Sequence, residues 1–211
     1  MYVSQLQDLS GWVGYVQSPN ANTSVGSAFG DFQVPEIELE SGDPGGVARW
    51  AAAFWVGVGG YASTALWQAG IQFNWTPSEG LQSSAFWEAF GPGYTHVGWS
   101  TALDFLAGNQ VSVNVSSGAT NSTFVIHDIT TGRSWTGTEP YTSSRATREW
   151  VYEDEGVNGL AHSTSVTFSN MTIAGLPATL YQCYLDAEIS GYSPTSLGLV
   201  GSYPSFSAVV D

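Results

Sequence analysis

Glu149 and Gln68 are polar residues set inside segments that otherwise read as β-strands. Glu149 lies in Arg148-Glu149-Trp150-Val151-Tyr152-Glu153-Asp154, and Gln68 in Leu66-Trp67-Gln68-Ala69-Gly70. A carboxylate can take a proton from water as that water attacks a carbonyl. The tetrahedral intermediate then needs a preorganised donor, and a glutamine amide supplies one without changing protonation at any pH. Aimed into one cleft, the two groups would hydrolyse a peptide bond without serine, cysteine or metal. A single glutamine on a strand is more often a polar surface residue, so the pair gains meaning only from the elements around it.

Those elements read as strands. Apolar spacing at three and four is rare, and β-branched and aromatic residues dominate. Turn-forming clusters recur at Ser18-Pro19-Asn20, Ser41–Gly46, Thr76–Gly80, Gly91-Pro92-Gly93, Ala107-Gly108-Asn109, Thr131-Gly132-Arg133 and Gly156–Gly159. Many short strands punctuated this way predict an all-β fold, an antiparallel β-sandwich of two sheets or a barrel. The 211 residues suit one sandwich domain over 1–211, with no internal repeat and no dividing linker. The acidic loop from Glu36 to Gly46 reads as a mobile rim.

Side-chain alternation sharpens the picture, because successive strand residues face opposite ways. Trp67, Ala69, Ile71 and Phe73 share one face, and Gln68, Gly70 and Gln72 the other. Phe86, Glu88 and Phe90 oppose Ala85, Trp87 and Ala89. Glu149, Val151 and Glu153 oppose Trp150 and Tyr152. If the mixed faces line one concave surface, Gln68, Glu88 and Glu149 lie in one groove. By contrast, Val111-Ser112-Val113-Asn114-Val115 reads as a plain half-buried strand.

Other chemistries fit less well. His96, His127 and His162 lack metal-ligand spacing, there is no cysteine cluster, and the EF-hand pattern is missing, so no cofactor is expected. No Gly-x-Ser-x-Gly elbow sits in a strand-turn-helix setting, although a Ser-His-Asp triad is defined in space and stays open. A glycosidase needs two carboxyls about 5–10 Å apart. Glu149 and Glu153 would be about 13 Å apart along a strand, while Glu149 with Glu88 stays open. The 9 Trp, 10 Tyr and 10 Phe suit sugar stacking, a peptide groove or a core alike. A carbohydrate-binding or glycan-hydrolysing sandwich is therefore the alternative.

Composition limits the partners. Only 10% of residues are charged and the net charge is −14, with four arginines and no lysine. Nucleic acid and anionic membranes both require basic patches, so neither is expected as a partner. So few basic groups would leave little positive charge in acid, which hints at an acidic working environment. A salt-adapted acidic protein has the same composition. Cys183 is the only cysteine, so no intrachain disulfide can form. It reads as an inert thiol on a strand. No stretch is apolar and long enough to span a membrane as a helix, and Met1–Gln5 is not a signal peptide. The Asn-x-Ser/Thr sequons at Asn22, Asn74, Asn114, Asn121 and Asn170 support export only weakly.

Seven segments resemble, in order, those of the glutamic peptidases called eqolisins. They are Gly11–Val16, Phe29–Pro35, Phe54–Gly60, Leu66–Ile71, Phe86–Pro92, Ile129–Ser134 and Arg148–Asp154. The resemblance implies a concanavalin/jelly-roll-like β-sandwich with the site on a concave face. It implies an acid endopeptidase acting on polypeptides, secreted and made with a removable prosegment. A monomer is expected. Glu149 would be general base and then acid, and Gln68 the oxyanion donor. Trp55, Phe86, Glu88 and Phe90 would line the substrate cleft. Departures occur at Gly59, where the family often has aspartate, and at Phe86 and Phe90, where it has tryptophan and tyrosine. Those changes bear on subsite preference, and the absence of disulfides suggests a prokaryotic branch.

Overall fold

The computed structural model describes residues 12–17, 26–38, 50–61, 63, 65–143, 145, 147–154, 162–163, 166–173, 176–177, 183–187, 192–200 and 203–210. Every regular element among them is a strand. In chain order these are β1 Trp12–Gln17, β2 Ser27–Gln33, β3 Ile37–Glu38, β4 Trp50–Gly59, β5 Leu66–Thr76, β6 Gly80–Gly91, β7 Tyr94–Ser100, β8 Gln110–Ser117 and β9 Ser122–Asp128. They continue with β10 Arg133–Glu139, β11 Arg148–Asp154, β12 His162–Ser163, β13 Val166–Ile173, β14 Leu176–Pro177, β15 Cys183–Ala187, β16 Tyr192–Val200 and β17 Tyr203–Val210.

Two antiparallel sheets form. One runs β15-β1-β11-β4-β5-β6-β7, and the other β10-β9-β8-β2-β13-β17-β16, with β14 beside β13. The small β3–β12 ladder stands apart. The expected all-β sandwich of two sheets is therefore present. The predicted turns at 77–79, 92–93 and 107–108 and around 131–132 connect strands. The clusters Ser18-Pro19-Asn20, Ser41–Gly46 and Gly156–Gly159 lie outside the described residues. So does most of the expected rim loop, whose start, Ile37–Glu38, is instead strand β3. Cys183 opens β15 as expected, and its side chain is outside the described set.

The main core lies between the sheets. It takes Phe54, Val56 and Val58 from β4, Trp67, Ala69 and Ile71 from β5, and Trp150 and Tyr152 from β11. Opposite them stand Phe32, Val111, Val113, Val115, Phe124 and Ile126. Phe54 stacks on Tyr152 with ring centroids 4.7 Å apart, and Trp87 stacks on Phe124 at 4.9 Å. The Trp150 indole N–H donates to the Phe29 carbonyl at 2.9 Å, pinning β11 to β2 across the core. A Cβ at Gly30 would lie 2.7 Å from that indole, so glycine is needed for the sheets to approach there.

A second apolar cluster of Ala53, Trp55, Leu66, Phe86 and Val151, with Phe90 against it, involves the same strands. Its members are the alternate residues of β4, β5, β6 and β11, so it occupies the opposite face of the seven-stranded sheet. That face carries the polar residues singled out above.

Candidate active site

The ladder registers line the candidate residues up in one row. Glu149 pairs with Gly57, Gly57 with Gln68, and Gln68 with Glu88. The row continues to Val16 of β1 on one side and Val97 of β7 on the other. Paired residues on neighbouring strands project from the same face. Glu149 and Gln68 thus stand two strand spacings apart, about 9.5 Å at the backbone, and their side chains share one surface.

Gly57, which stands between them, lets neighbouring side chains close over the backbone there. A Cβ there would lie 3.2 Å from Glu149 Oε2, 3.2 Å from Leu66 Cδ1 and 2.8 Å from Trp55 Cζ3. The carboxyl, a leucine methyl and an indole edge therefore converge on a backbone with no side chain of its own. The sequence carries a signal for this: in Trp55-Val56-Gly57-Val58-Gly59, parity puts both glycines on the Trp55 face.

Gln68 is only 5% exposed. Its amide nitrogen donates to Glu88 Oε2 at 2.7 Å, and its carbonyl oxygen has no hydrogen-bond partner. An ionised carboxylate can only accept, so Glu88 holds the NH2 end of the amide in place and leaves its second N–H free to donate. Burial pushes the Glu88 carboxyl up, and the bond from Gln68 offsets part of that.

Glu149 is fully buried, and neither carboxyl oxygen makes a well-formed hydrogen bond. Burial pushes its pKa up from 4.5 to about 8; the Thr147 side chain, the Tyr61 backbone and the Arg148 charge pull in the other direction. Thr147 is itself oriented by its hydroxyl, which donates to the Tyr61 carbonyl at 3.3 Å. Arg148 is also fully buried, on the core side of β11. It donates from Nη1 to the Arg145 carbonyl at 3.2 Å, while Nε and Nη2 have no partner. Burial lowers its pKa; the Glu149 charge opposes that and Arg145 adds to it.

The remaining candidates surround this row. Trp55 pairs with Val151 and Gly70, one row along the same face, and Phe86 pairs with Gly70. Phe90 pairs with Leu66, one row the other way. The Trp55 indole N–H donates to Glu153 Oε2 at 2.7 Å, so Glu153 fixes the ring that overhangs Gly57. That role of Glu153 was not legible in sequence, where it stood only as a second carboxyl on the Glu149 face. Arg148, Thr147 and Tyr61 were likewise missed. The first faces away from the groove by parity, and the other two reach Glu149 through loop geometry.

Residues 10–185 match the model of the peptidase A4 family. The chain belongs to the peptidase A4 family. It is a glutamic peptidase of the eqolisin type that the seven segments resemble, a hydrolase of peptide bonds. A solved structure of scytalido-glutamic peptidase with a transition-state analog inhibitor superposes with a TM-score of 0.72 at 18% identity. It covers 97% of this chain and 100% of that one. A second, with a peptide-based transition state analog, gives 0.70 at 18% identity and the same coverage. SCP-B, an eqolisin solved with the tripeptide Ala-Ile-His, gives 0.67 at 17% identity, again over 97% and 100% of the two chains. At such identities these matches speak for the shared sandwich. No curated protein matches the sequence at a significant level.

Proposed function

We propose that this peptidase cleaves polypeptides by means of Glu149 and Gln68, working in acid and outside the cell. The observation that carries the reading is their register: the two side chains flank Gly57, which has no side chain of its own, on one face of the sheet. A scissile carbonyl laid over Gly57 would have a carboxyl on one side and an amide donor on the other. Glu149 takes a proton from the attacking water, and Gln68 donates to the oxyanion that forms. Glu149 then returns its proton to the leaving nitrogen, so the group ends the cycle as it began. Glu88 positions the amide, and Trp55, held by Glu153, walls the site with Phe86 and Phe90.

The raised pKa of Glu149 has two consequences. Below about 8 the resting carboxyl holds its proton, the form needed at the leaving nitrogen. The base step uses the ionised form, which becomes rarer as pH falls, so the raised pKa favours the acid step alone; the acidic range rests on composition and on the fold's tolerance of protonation. The acidic range is supported by the near absence of basic residues and by Asp31, Glu88 and Glu149, whose carboxyls are all pushed up by burial. Their neutral forms suit the fold, so protonating them in acid does not weaken it. Asp128 runs the other way: burial raises its pKa, but bonds from Thr131, Asn109 and Thr130 outweigh this and lower it. Its stabilisation is lost as pH falls through that lowered value.

Digestion of an unfolded protein across about pH 2–8, with Glu149→Gln beside the wild type, tests the reading. Cleavage in acid that disappears in the variant is expected. Cleavage that persists in a folded Glu149→Gln protein would overturn it, as would none by the folded wild type.

A further inference from the structure

Arg148 carries a charge for which the fold supplies no ion-pair contact. It is fully buried at the start of β11, on the core face. Across its row on that face stand Gln17, Val58 and Trp67, none of them a carboxylate. Its Nη1 donates to the Arg145 carbonyl at 3.2 Å, and Nε and Nη2 have no acceptor. That carbonyl belongs to a second arginine, which takes a left-handed backbone conformation with φ 54° and donates from Nη2 to the Gly118 carbonyl. Two of the chain's four arginines thus meet where β11 begins. The carboxyl whose charge bears on Arg148 is that of Glu149.

Such an arrangement works against folding. A buried guanidinium with unmet donors carries a desolvation cost, and an apolar side chain of similar volume at such a site is often neutral or stabilising. Packing alone therefore gives no reason for arginine here. The charge does stand directly behind Glu149. The two residues are consecutive, so their side chains leave opposite faces of one strand, and both are shielded from water. In so dry a setting a charge on the order of 10 Å away still acts on a carboxyl. Among the described residues, the groups facing Glu149 offer no other cation. Its row holds Val16, Gly57, Gln68 and Glu88, and Glu153 follows on its own strand. Thr147 reaches it through its side chain and Tyr61 through its backbone.

We infer that Arg148 is a positioning residue that acts through Glu149: a permanent charge behind β11 that keeps the catalytic carboxyl able to ionise inside a dry site. This deepens the peptidase reading and rests on it. Burial drives Glu149 toward its neutral form, which serves the leaving nitrogen but not the attacking water. The base step needs the ionised form. A guanidinium keeps its proton throughout the working range, so its pull on Glu149 does not fade with pH. Because Arg148 lies on the core face, it acts without touching substrate or narrowing the groove.

The test sets Arg148→Met and Arg148→Gln beside wild type in two measurements. One is an NMR titration of isotope-labelled glutamate carboxyls, with the Glu149 signal assigned by its loss in Glu149→Gln. The other is kcat/KM against pH on an unfolded protein substrate. Both substitutions remove the charge, but they differ in shape and polarity. In each, the Glu149 carboxyl should titrate about one pH unit higher than in wild type. The limb of the kcat/KM profile that Glu149 sets should move up by the same amount. A side chain that merely fills the core would change melting temperature and leave both readings in place. A folded variant with an unmoved Glu149 titration, or with a moved titration and an unmoved limb, overturns this inference alone. So does failure of both variants to fold, because the guanidinium would then be a structural requirement. If folded wild type cleaves nothing at any pH, the dyad reading fails and this inference falls with it.

Discussion

β5 and β8 are both long antiparallel strands, yet their two faces fare differently. β8 buries Val111, Val113 and Val115 against the core and leaves Ser112, Asn114 and Ser116 partly exposed. β5 buries eight successive residues, from Leu66 to Phe73. Its core face is ordinary: Trp67, Ala69, Ile71 and Phe73. Its other face places Gln68 and Gln72 out of water beside Leu66, Trp55 and Phe86. Burying an amide without full hydrogen bonding costs stability, commonly about 1–3 kcal/mol. A fold that keeps Gln68 with an unpartnered carbonyl oxygen on such a face retains a group suited to meeting a substrate. β8 asks nothing of its polar face except solubility.

Substitutions on the two strands should separate accordingly. Gln68→Ala removes the proposed oxyanion donor and should lower kcat by about a hundredfold or more while circular dichroism stays native. Retention of most activity would erase the distinction between β5 and β8. Gly57→Ala is the next largest. Its methyl would press on Trp55, Leu66 and the Glu149 carboxyl, costing about 1–3 kcal/mol of stability. A fall in kcat of about tenfold should accompany this, because reacting groups are sensitive to small displacements. An unchanged kcat would show that the interval over Gly57 is not where the carbonyl sits.

The third prediction concerns pH. A carboxyl whose folded pKa is raised contributes stability that is fully present below its unfolded value and lost as pH rises through the folded one. For Glu149 that window runs from 4.5 to about 8. Glu149→Gln should therefore melt several degrees above wild type near the upper end of the window, and close to it near pH 3. Equal melting temperatures at every pH would mean that the carboxyl is not held in a dry site. The smallest effect belongs to β8: Ser112→Ala should change stability by no more than about 0.5 kcal/mol and leave peptide cleavage unchanged.

Much of this contrast was legible in the amino-acid sequence. Period-two alternation assigns Trp67, Ala69 and Ile71 to one face and Gln68, Gly70 and Gln72 to the other, and the core follows that division. It likewise separates Phe86 and Phe90 from Ala85, Trp87 and Ala89. Alternation along one strand says nothing of which strands adjoin. The register joining Glu149 to Gly57, and Gly57 to Gln68, belongs to pairings between segments far apart in the chain. Hence Gly57 was passed over, and Glu153 was read as a spare carboxyl rather than as the acceptor for Trp55. Arg148 could not be placed because a charged residue next to Glu149 reads as surface, whereas it is buried on the core side.

The central claim is that Glu149 and Gln68 act as one unit across Gly57. The most direct test is kcat/KM on an unfolded protein substrate for Glu149→Gln, Gln68→Ala and the double variant, each shown to be folded. Groups that serve one transition state are strongly non-additive. The account predicts that the double variant loses little more than the worse single variant. A double variant whose loss is the product of the two single losses, or either single variant with near wild-type activity, would contradict it.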